Sequence, residues 1–566
     1  MTLGQLLLKK ALPNYKGEEL TKKVLQNKLF EIAQTDPDQY VKSVYEIKKI
    51  GDMVSSLHHN MTIGMEDVAP LYIEPRGSTT LDKIKYIKEK VMEHPGSMAD
   101  MVRSGARGKD YQLASSVLTP VAAYDVHGNE LPISFKRGAS SGLSPAEYWA
   151  KAIEKRYQVA ESRTSVVEPG DVAKMLVNTM HGQVVSTEDC GSLTGVPMDP
   201  NSPDIIDRYL AIPFAGFPRN TLITREVANK MAKHGGQPIV RSPLTCRAKI
   251  GVCQKCMGLS TAGKPYDIGF NIGVRAAQTL SEPLTNLVLQ SKHGTRSAAA
   301  GGAGGLKGIR QLIEIPKSFL HKAELAQDHE KVKDIEKLEY GGHRVYTDKN
   351  EYFVPSGLKV LVKKDQHLKP GDQINEGIPY PPDVLRHKGI IEGRKFLADK
   401  LHEVYTNSGI GIDKRYTELL AKSQLNFVKV NNKALYPHIV PGDIVTYGGL
   451  EEVMYRKSNP VPVSRALNKR LAVGVLDLPA GHVIDENTIK KLQKYGIGSI
   501  DVITDAVHIE PVMKPIETTP LLNPDFLAKL AYRYLKRTLV DDITYTGKSD
   551  IKDNHVVQYA LGKLDV

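Results

Sequence analysis

Four cysteines carry the strongest chemical signal in this 566-residue chain: Cys190, Cys246, Cys253 and Cys256. The last three are spaced C-x6-C-x2-C. A C-x2-C knuckle lets two thiolates grip one ion from a tight turn, here Cys253-Gln254-Lys255-Cys256-Met257-Gly258. Four thiolates complete the closed tetrahedral shell of a structural Zn²⁺ site, with no open position for catalysis. Arg247, Lys249 and Lys255 are near enough in sequence to help keep the thiolates ionised. The competing readings are unrelated buried thiols or two disulfides. An intracellular chain argues against disulfides, and unrelated thiols do not usually place three within eleven residues and leave none over. A second feature, Gly301, Gly302, Gly304 and Gly305, has the composition of a phosphate cradle. No strand-like run precedes it and no Gly-Lys-Ser follows, so a P-loop is not the reading.

The elements that must position these residues belong to a globular, multi-module chain. Lys plus Arg is 76 and Asp plus Glu is 64, a net charge of +12, with 41% hydrophobic and 25% charged residues. That balance excludes disordered and collagen-like classes, and the length predicts about three or four domains. No apolar run reaches the roughly 18 residues of a membrane span. The N-terminal MTLGQLLLKKALP lacks a basic leader and cleavage site, so no secretory signal is expected. The expectation is a soluble, cytoplasmic, basic protein suited to a polyanionic partner.

Apolar spacing predicts helices over 15–60 and 82–93. A third, over 144–168, has Ser144 as N-cap, Pro145 at the first position and Glu147 at the third, a capping box. Pro169-Gly170 predicts a kink or unwound turn at Glu168, with helix resuming at Val172. Residues 272–293 read as helix broken at Pro283, and 391–407 and 524–539 as further helices. From 340 to 515, short Val- and Ile-rich runs alternate with turns such as Pro370-Gly371-Asp372, Pro441-Gly442-Asp443 and Pro479-Ala480-Gly481, which predicts small β-rich modules. No repeat of solenoid scale is seen. The fold class is α+β, multi-module.

Several segments, in collinear order, resemble the largest, β′ subunit of bacterial multisubunit RNA polymerase. Glu188-Asp189-Cys190-Gly191, Arg241-Ser242-Pro243-Leu244-Thr245-Cys246 and Gly251-Val252-Cys253-Gln254-Lys255-Cys256 resemble its zinc module. Ile272-Gly273-Val274-Arg275-Ala276-Ala277-Gln278-Thr279-Leu280-Ser281-Glu282-Pro283 is similar to its trigger-loop entry. Ser104-Gly105-Ala106-Arg107-Gly108 is similar to its F-loop turn, and Gly142-Leu143 opens the segment that corresponds to its bridge helix. Gly371-Asp372, Pro382-Asp383-Val384-Leu385-Arg386 and His402-Glu403-Val404-Tyr405 are similar to its C-terminal clamp and cleft region. The likeness runs from about residue 2 to about 430 and returns faintly at 536–562.

The resemblance implies rim helices of the secondary channel at 1–95, an F-loop-like region at 96–143, a bridge helix at 144–180 and a zinc-binding module at 181–263. It implies a trigger loop at 264–320 and a jaw and C-terminal cleft or clamp region at 321–440. A β-rich insert at 441–515 and a C-terminal helical segment at 516–566 follow. The family's magnesium-binding Asn-Ala-Asp-Phe-Asp-Gly-Asp segment has no counterpart; Asp541-Asp542 lacks the alternation and the glycine. The chain therefore resembles the C-terminal half of a β′ subunit encoded separately, and its departures from the cellular pattern imply a large bacteriophage. The implied partners are the N-terminal half of β′ with the aspartate triad, β-like subunits, DNA template, RNA product and nucleoside triphosphates. Location would be the bacterial host cytoplasm, with packaging in the virion left open. Mg²⁺ would be held by another chain and Zn²⁺ by the four cysteines.

The resemblance also implies site residues. His293 falls where the family approaches the triphosphate, and Leu289 where an apolar side chain packs on the incoming base. Asn286 replaces a glutamine near the ribose, and Gln290 replaces an arginine, so a phosphate contact is lost. Arg156 matches a basic bridge-helix position, and Val166-Val167 lie where a Thr-Ala pair underlies the templating base. The implied activity is DNA-directed RNA synthesis in a multisubunit complex. The rival reading is a non-catalytic zinc-containing nucleic-acid-binding or assembly protein that kept the fold. Gln290 and Val166-Val167 favour the rival; His293 and the Ala-Ala-Gln…Glu-Pro frame favour the enzyme.

Overall fold

The computed structural model describes residues 3–291 except 58–62, 66, 68–72, 78–79, 95, 124–129 and 165–166. It describes 305–523 except 320, 339–340, 409, 432–439, 477 and 504–508, and then only 529–530, 535–536, 540 and 544. Among the described residues the chain is a multi-module α+β protein of helices and small sheets. It divides into two units, residues 1–165 with 289–300, and 166–288 with 301–566.

The first unit is helical. The 15–60 prediction resolves into Lys22–Thr35 and Pro37–Leu57. Thr21 starts the first helix by accepting the Val24 N–H at 3.2 Å. Pro37 opens the second, where a missing N–H costs nothing. Thr80–Val91 and Asp110–Val117 pack Ile87, Val91, Leu113 and Val117 into a small core. Pro145–Thr164 begins at the expected capping box: the Ser144 N–H donates to Glu147 at 2.8 Å, and the Glu147 N–H donates to Ser144 Oγ at 3.4 Å.

The second unit opens with the helix Val167–Met180. The expected unwound turn at Glu168 is absent: Glu168, Pro169 and Gly170 are helical. Pro169 is third in the described helix Val167–Met180, close to its first described residue. Short strands and the helix Arg225–His234 surround the cysteines. The helix Ile272–Ser291 follows and is continuous through Pro283, against the predicted break.

A four-stranded antiparallel sheet comes next, ordered Glu351–Val354, His343–Thr347, Glu330–Lys337, His367–Leu368. Two helical runs meet at Gly389 (φ 82°) within Pro381–Asn407. Lys414–Gln424, a helix the sequence reading did not predict, then crosses the core. Phe427–Val430 is the central strand between Ile444–Thr446 and Ile509–Val512. The chain leaves that sheet after Thr446 and returns at Ile509. The excursion carries a second sheet, Asn459–Pro462, Ser499–Ile503 and Arg470–Leu471. Pro460 and Pro462 lie on its edge strand, where a missing donor is tolerated. The predicted helix 524–539 falls largely outside the described residues.

Candidate metal centre and the helix beyond it

The four cysteine sulfurs converge, all within 4.8 Å of one another. Cys190 and Cys256 Sγ are 3.7 Å apart. A tetrahedron with Zn–S near 2.3 Å has edges of about 3.8 Å, so the donor set fits a divalent cation. Backbone N–H groups support the sulfurs: Arg247 to Cys190 at 3.4 Å, Cys253 to Cys246 at 3.3 Å and Cys256 to Cys253 at 3.3 Å. The knuckle ends at Gly258 (φ 77°), where a Cβ would meet the Asp207 carbonyl at 2.3 Å. As thiols alone the four share ionisation unequally. Hydrogen bonds from Cys246, Cys253 and Cys256 hold Cys190 far below the ordinary thiol range, and burial pushes Cys246 far above it. A bound divalent cation is what allows all four to ionise together.

The cation that touches the sulfurs is Arg241, not Arg247, Lys249 or Lys255. Arg241 is fully buried, and its Nη2 lies 3.2 Å from Cys190, 3.4 Å from Cys256 and 3.6 Å from Cys253. Asp189 at 2.7 Å and Asn220 at 3.0 Å fix its plane. Burial alone would raise the Asp189 carboxyl; the Gly191 N–H and Arg241 outweigh it and hold it below its usual range. Lys249 is exposed beside Glu452, Lys255 sits over the Tyr209 ring, and the Arg247 guanidinium sits over Tyr455. Arg241 opens the Arg241–Cys246 motif. A fixed, always-charged fork suits several sulfurs at once, and that was the signal available in sequence.

The helix Lys414–Gln424 cradles this module. Residues 415–424 are all buried, yet Arg415, Glu418 and Lys422 recur on one face at helical spacing. Each bonds a group of the cysteine module. Arg415 Nη1 donates to the Met257 and Leu259 carbonyls at 2.8 and 2.7 Å. Glu418 accepts both Nη groups of Arg208 at 2.8 Å and Ser242 Oγ at 2.8 Å. Lys422 Nζ donates to the Gly251 carbonyl at 2.8 Å and the Cys246 carbonyl at 3.3 Å.

Ile272–Ser291 leaves the same core. Ala276, Leu280 and Leu284 form its buried stripe, while Arg275, Gln278 and Glu282 are exposed on another face. Pro283 has no N–H for the carbonyl four residues back and crowds the preceding turn. In that turn the buried Tyr405 hydroxyl donates to the Leu280 carbonyl at 2.7 Å, which helps the helix pass through proline unbroken.

Asn286, Leu289 and Gln290 lie in the last turns of this helix, and His293 lies outside the described residues. Arg156 is exposed on Pro145–Thr164. Val167 is the exposed first residue of Val167–Met180, and Val166 is outside the described residues. The structure thus brings the four metal-ligating candidates together. It places Asn286, Leu289 and Gln290 on one helix that starts in the same core. No described helix is long and apolar enough to cross a membrane.

Comparison with known proteins covers the cysteine module and the helices around it. The family described as RNA polymerase Rpb1, domain 5, matches residues 142–434. A DNA-directed RNA polymerase subunit beta′ of Caldicellulosiruptor saccharolyticus is 26% identical over 441 residues, 74% of this chain and 37% of that protein. The corresponding subunit of Symbiobacterium thermophilum is 27% identical over 403 residues, 66% of this chain and 34% of its own length. That of Bifidobacterium animalis subsp. lactis is 28% identical over 417 residues, 68% and 30%. The chain spans about a third of the length of these relatives. With the matched span covering the cysteine module, the Ile272–Ser291 helix and the Lys414–Gln424 cradle, the chain belongs to the RNA polymerase Rpb1, domain 5 family.

Proposed function

We propose that the chain supplies the nucleotide-positioning half of a DNA-dependent RNA polymerase active centre. The observation that carries this is the family match over 142–434, which takes in the clustered cysteines and the helix bearing Asn286, Leu289 and Gln290. In this reading 144–180 lies under the templating base, with Arg156, Val166 and Val167 facing nucleic acid. Residues 264–320 fold over the incoming nucleotide and exclude water. Leu289 packs on the base, Asn286 lies near the ribose, and Gln290 leaves a phosphate without the family's arginine. His293 donates a hydrogen bond or proton to the β-phosphate as the 3′-oxygen bonds to the α-phosphorus and pyrophosphate departs. Magnesium, when bound, stabilises the attacking and leaving oxygens. The aspartates that hold it stand outside these 566 residues, on a partner carrying the N-terminal half of β′, in complex with β-like subunits. Zn²⁺ on Cys190, Cys246, Cys253 and Cys256 is structural. A phage origin, with the enzyme in the host cytoplasm, is supported by the departures at Gln290 and Val166-Val167.

The test is reconstitution with a chain bearing the aspartate triad, then rapid-quench single-nucleotide addition on a primed scaffold. His293→Ala is expected to slow addition at saturating nucleotide by about 10²–10⁴-fold, with assembly and zinc content unchanged. Leu289→Ala is expected to weaken nucleotide binding instead, a defect that shrinks at high concentration. An unmutated rate for His293→Ala refutes its role. A complex that assembles and binds nucleic acid without extending the primer favours the non-catalytic reading.

A further inference from the structure

Residues 202–242 and 463–503 build the same backbone twice, at a constant offset of 261 positions (207 to 468, 223 to 484, 235 to 496). The strongest sign is conformational. Positive φ is rare outside glycine. Asp207 (64°) answers to Asn468 (61°), Ala215 (51°) to Leu476 (59°), and Asn220 (62°) to Gly481 (84°).

Hydrogen bonds repeat with the same offset. Ile223 N–H to Arg208 at 2.8 Å matches Ile484 N–H to Lys469 at 2.9 Å. Leu210 to Thr221 and Leu471 to His482 are both 3.0 Å, and Phe214 to Phe217 and Val475 to Leu478 are both 3.0 Å. Each copy then caps a helix with a side chain, Thr224 for Arg225–His234 and Asp485 for Glu486–Lys494. Each buries one large apolar residue of that helix completely, Met231 and Leu492. Each helix is followed by a positive-φ glycine, Gly235 (77°) and Gly496 (71°), and a strand.

The copies differ in what the final strand delivers. The first runs into Arg241 and the Cys246 loop; the second contains no cysteine. The second instead docks on the first. Ala211, Ile212 and Ile239 share one core with Leu476, Ile484 and Leu492. The hairpin of the second copy also pairs with the stretch just after Cys190. Thr194 Oγ1 donates to the Gly474 carbonyl at 2.7 Å, the Gly195 N–H to the Leu476 carbonyl at 2.9 Å, and the Leu476 N–H to the Leu193 carbonyl at 3.3 Å. On its other side that stretch is bonded to the residue before Cys246. Ser192 Oγ donates to the Thr245 carbonyl at 3.3 Å, and Thr245 Oγ1 donates to the Thr194 carbonyl at 3.2 Å.

We propose that residues 463–503 are a metal-free second copy of the cysteine module's scaffold, retained as a brace that holds the Cys190 segment against the Cys246 loop. Cys190 is the ligand most distant in sequence from the other three, so its position depends most on tertiary support. The proposal rests on the four cysteines holding zinc.

The test is zinc release from the full zinc-loaded chain to a chromophoric chelator, with amide exchange at 192–195 as a second readout. Leu476→Asp, which puts a charge into the docking core, is expected to speed release about tenfold or more, within the range for lost support of metal ligands. Thr194→Val lies outside the second copy and removes one buried hydrogen bond without changing shape. It is expected to speed release several-fold and to raise exchange at Gly195, and it decides the matter if Leu476→Asp fails to fold. Release within about twofold of the unmutated chain for Thr194→Val, with exchange unchanged, overturns the brace. An unmutated chain that holds no zinc overturns the metal site and the brace together.

Discussion

The helices Pro145–Thr164 and Lys414–Gln424 are both rich in charged residues and are held by opposite means. The first is fixed at its start by local bonds, with Lys155, Arg156, Tyr148 and Trp149 exposed. In the second, residues 415–424 are all buried, and its charges are spent on carbonyls and side chains of the cysteine module. A helix satisfied by its own neighbours in sequence tolerates change. One satisfied by groups far along the chain transmits every change to the metal centre.

The largest effect expected from that contrast is at Glu418. Its carboxylate and Arg208 are both about 1% exposed. Removing one partner of a buried pair leaves an uncompensated charge, at a cost of roughly 3–5 kcal/mol. Glu418→Ala is expected to abolish recovery of soluble, zinc-containing chain, since Ser242, the residue after Arg241, loses its acceptor too. The double substitution Arg208→Met with Glu418→Leu is expected to restore part of the yield, because apolar replacement removes the stranded charge. Zinc content per chain after purification reads both. Normal zinc and yield for Glu418→Ala would erase the contrast between the two helices.

Lys422→Met keeps the stem and removes the ammonium that serves the Gly251 and Cys246 carbonyls. Leaving those acceptors unsatisfied costs about 1–3 kcal/mol, smaller than the Glu418 effect because no charge is stranded. The expected readout is faster amide exchange in 246–256 with the fold retained.

The difference between the helices also explains what was legible in sequence. Ser144, Pro145 and Glu147 act within four residues, so their roles could be read directly, as could the C-x2-C knuckle. Lys414–Gln424 reads as an ordinary polar stretch because its partners, Arg208, Ser242, Gly251 and Met257, are more than 150 residues away. Arg241 is hidden differently: nearness to the cysteines in sequence points to Lys249 and Lys255, whose side chains turn to Glu452 and Tyr209. Proline was over-read twice. Pro169 lies within the described helix Val167–Met180, and the turn before Pro283 gains the Tyr405 hydroxyl, a contact 125 residues away along the chain. The duplicated scaffold escaped because its signature is conformational. Positions such as Ala215 and Leu476, or Asp207 and Asn468, match in φ and not in residue type.

The smallest effect belongs to the self-contained helix and depends on pH. Glu147 Oε2 accepts the Ser144 N–H at 2.8 Å and Oε1 the Lys136 N–H at 2.9 Å. Burial alone would raise this carboxyl, but the two backbone donors outweigh it, and the group ends below its ordinary 4.5. A carboxylate whose pKa is lower in the folded state stabilises fully above the unfolded value. That contribution fades as pH falls through the depressed folded value. Glu147→Ala at neutral pH is expected to cost about 1 kcal/mol, the usual worth of a cap, seen as roughly fivefold faster exchange in 136–148. Glu147→Gln keeps an oxygen acceptor and loses the titration. Its exchange, corrected for intrinsic rates, should therefore match the unmutated chain more closely as pH drops below 4.5 than it does at neutral pH. If the gap between the glutamine variant and the unmutated chain stays constant across that range, the Glu147 carboxylate is not what fixes the start of this helix.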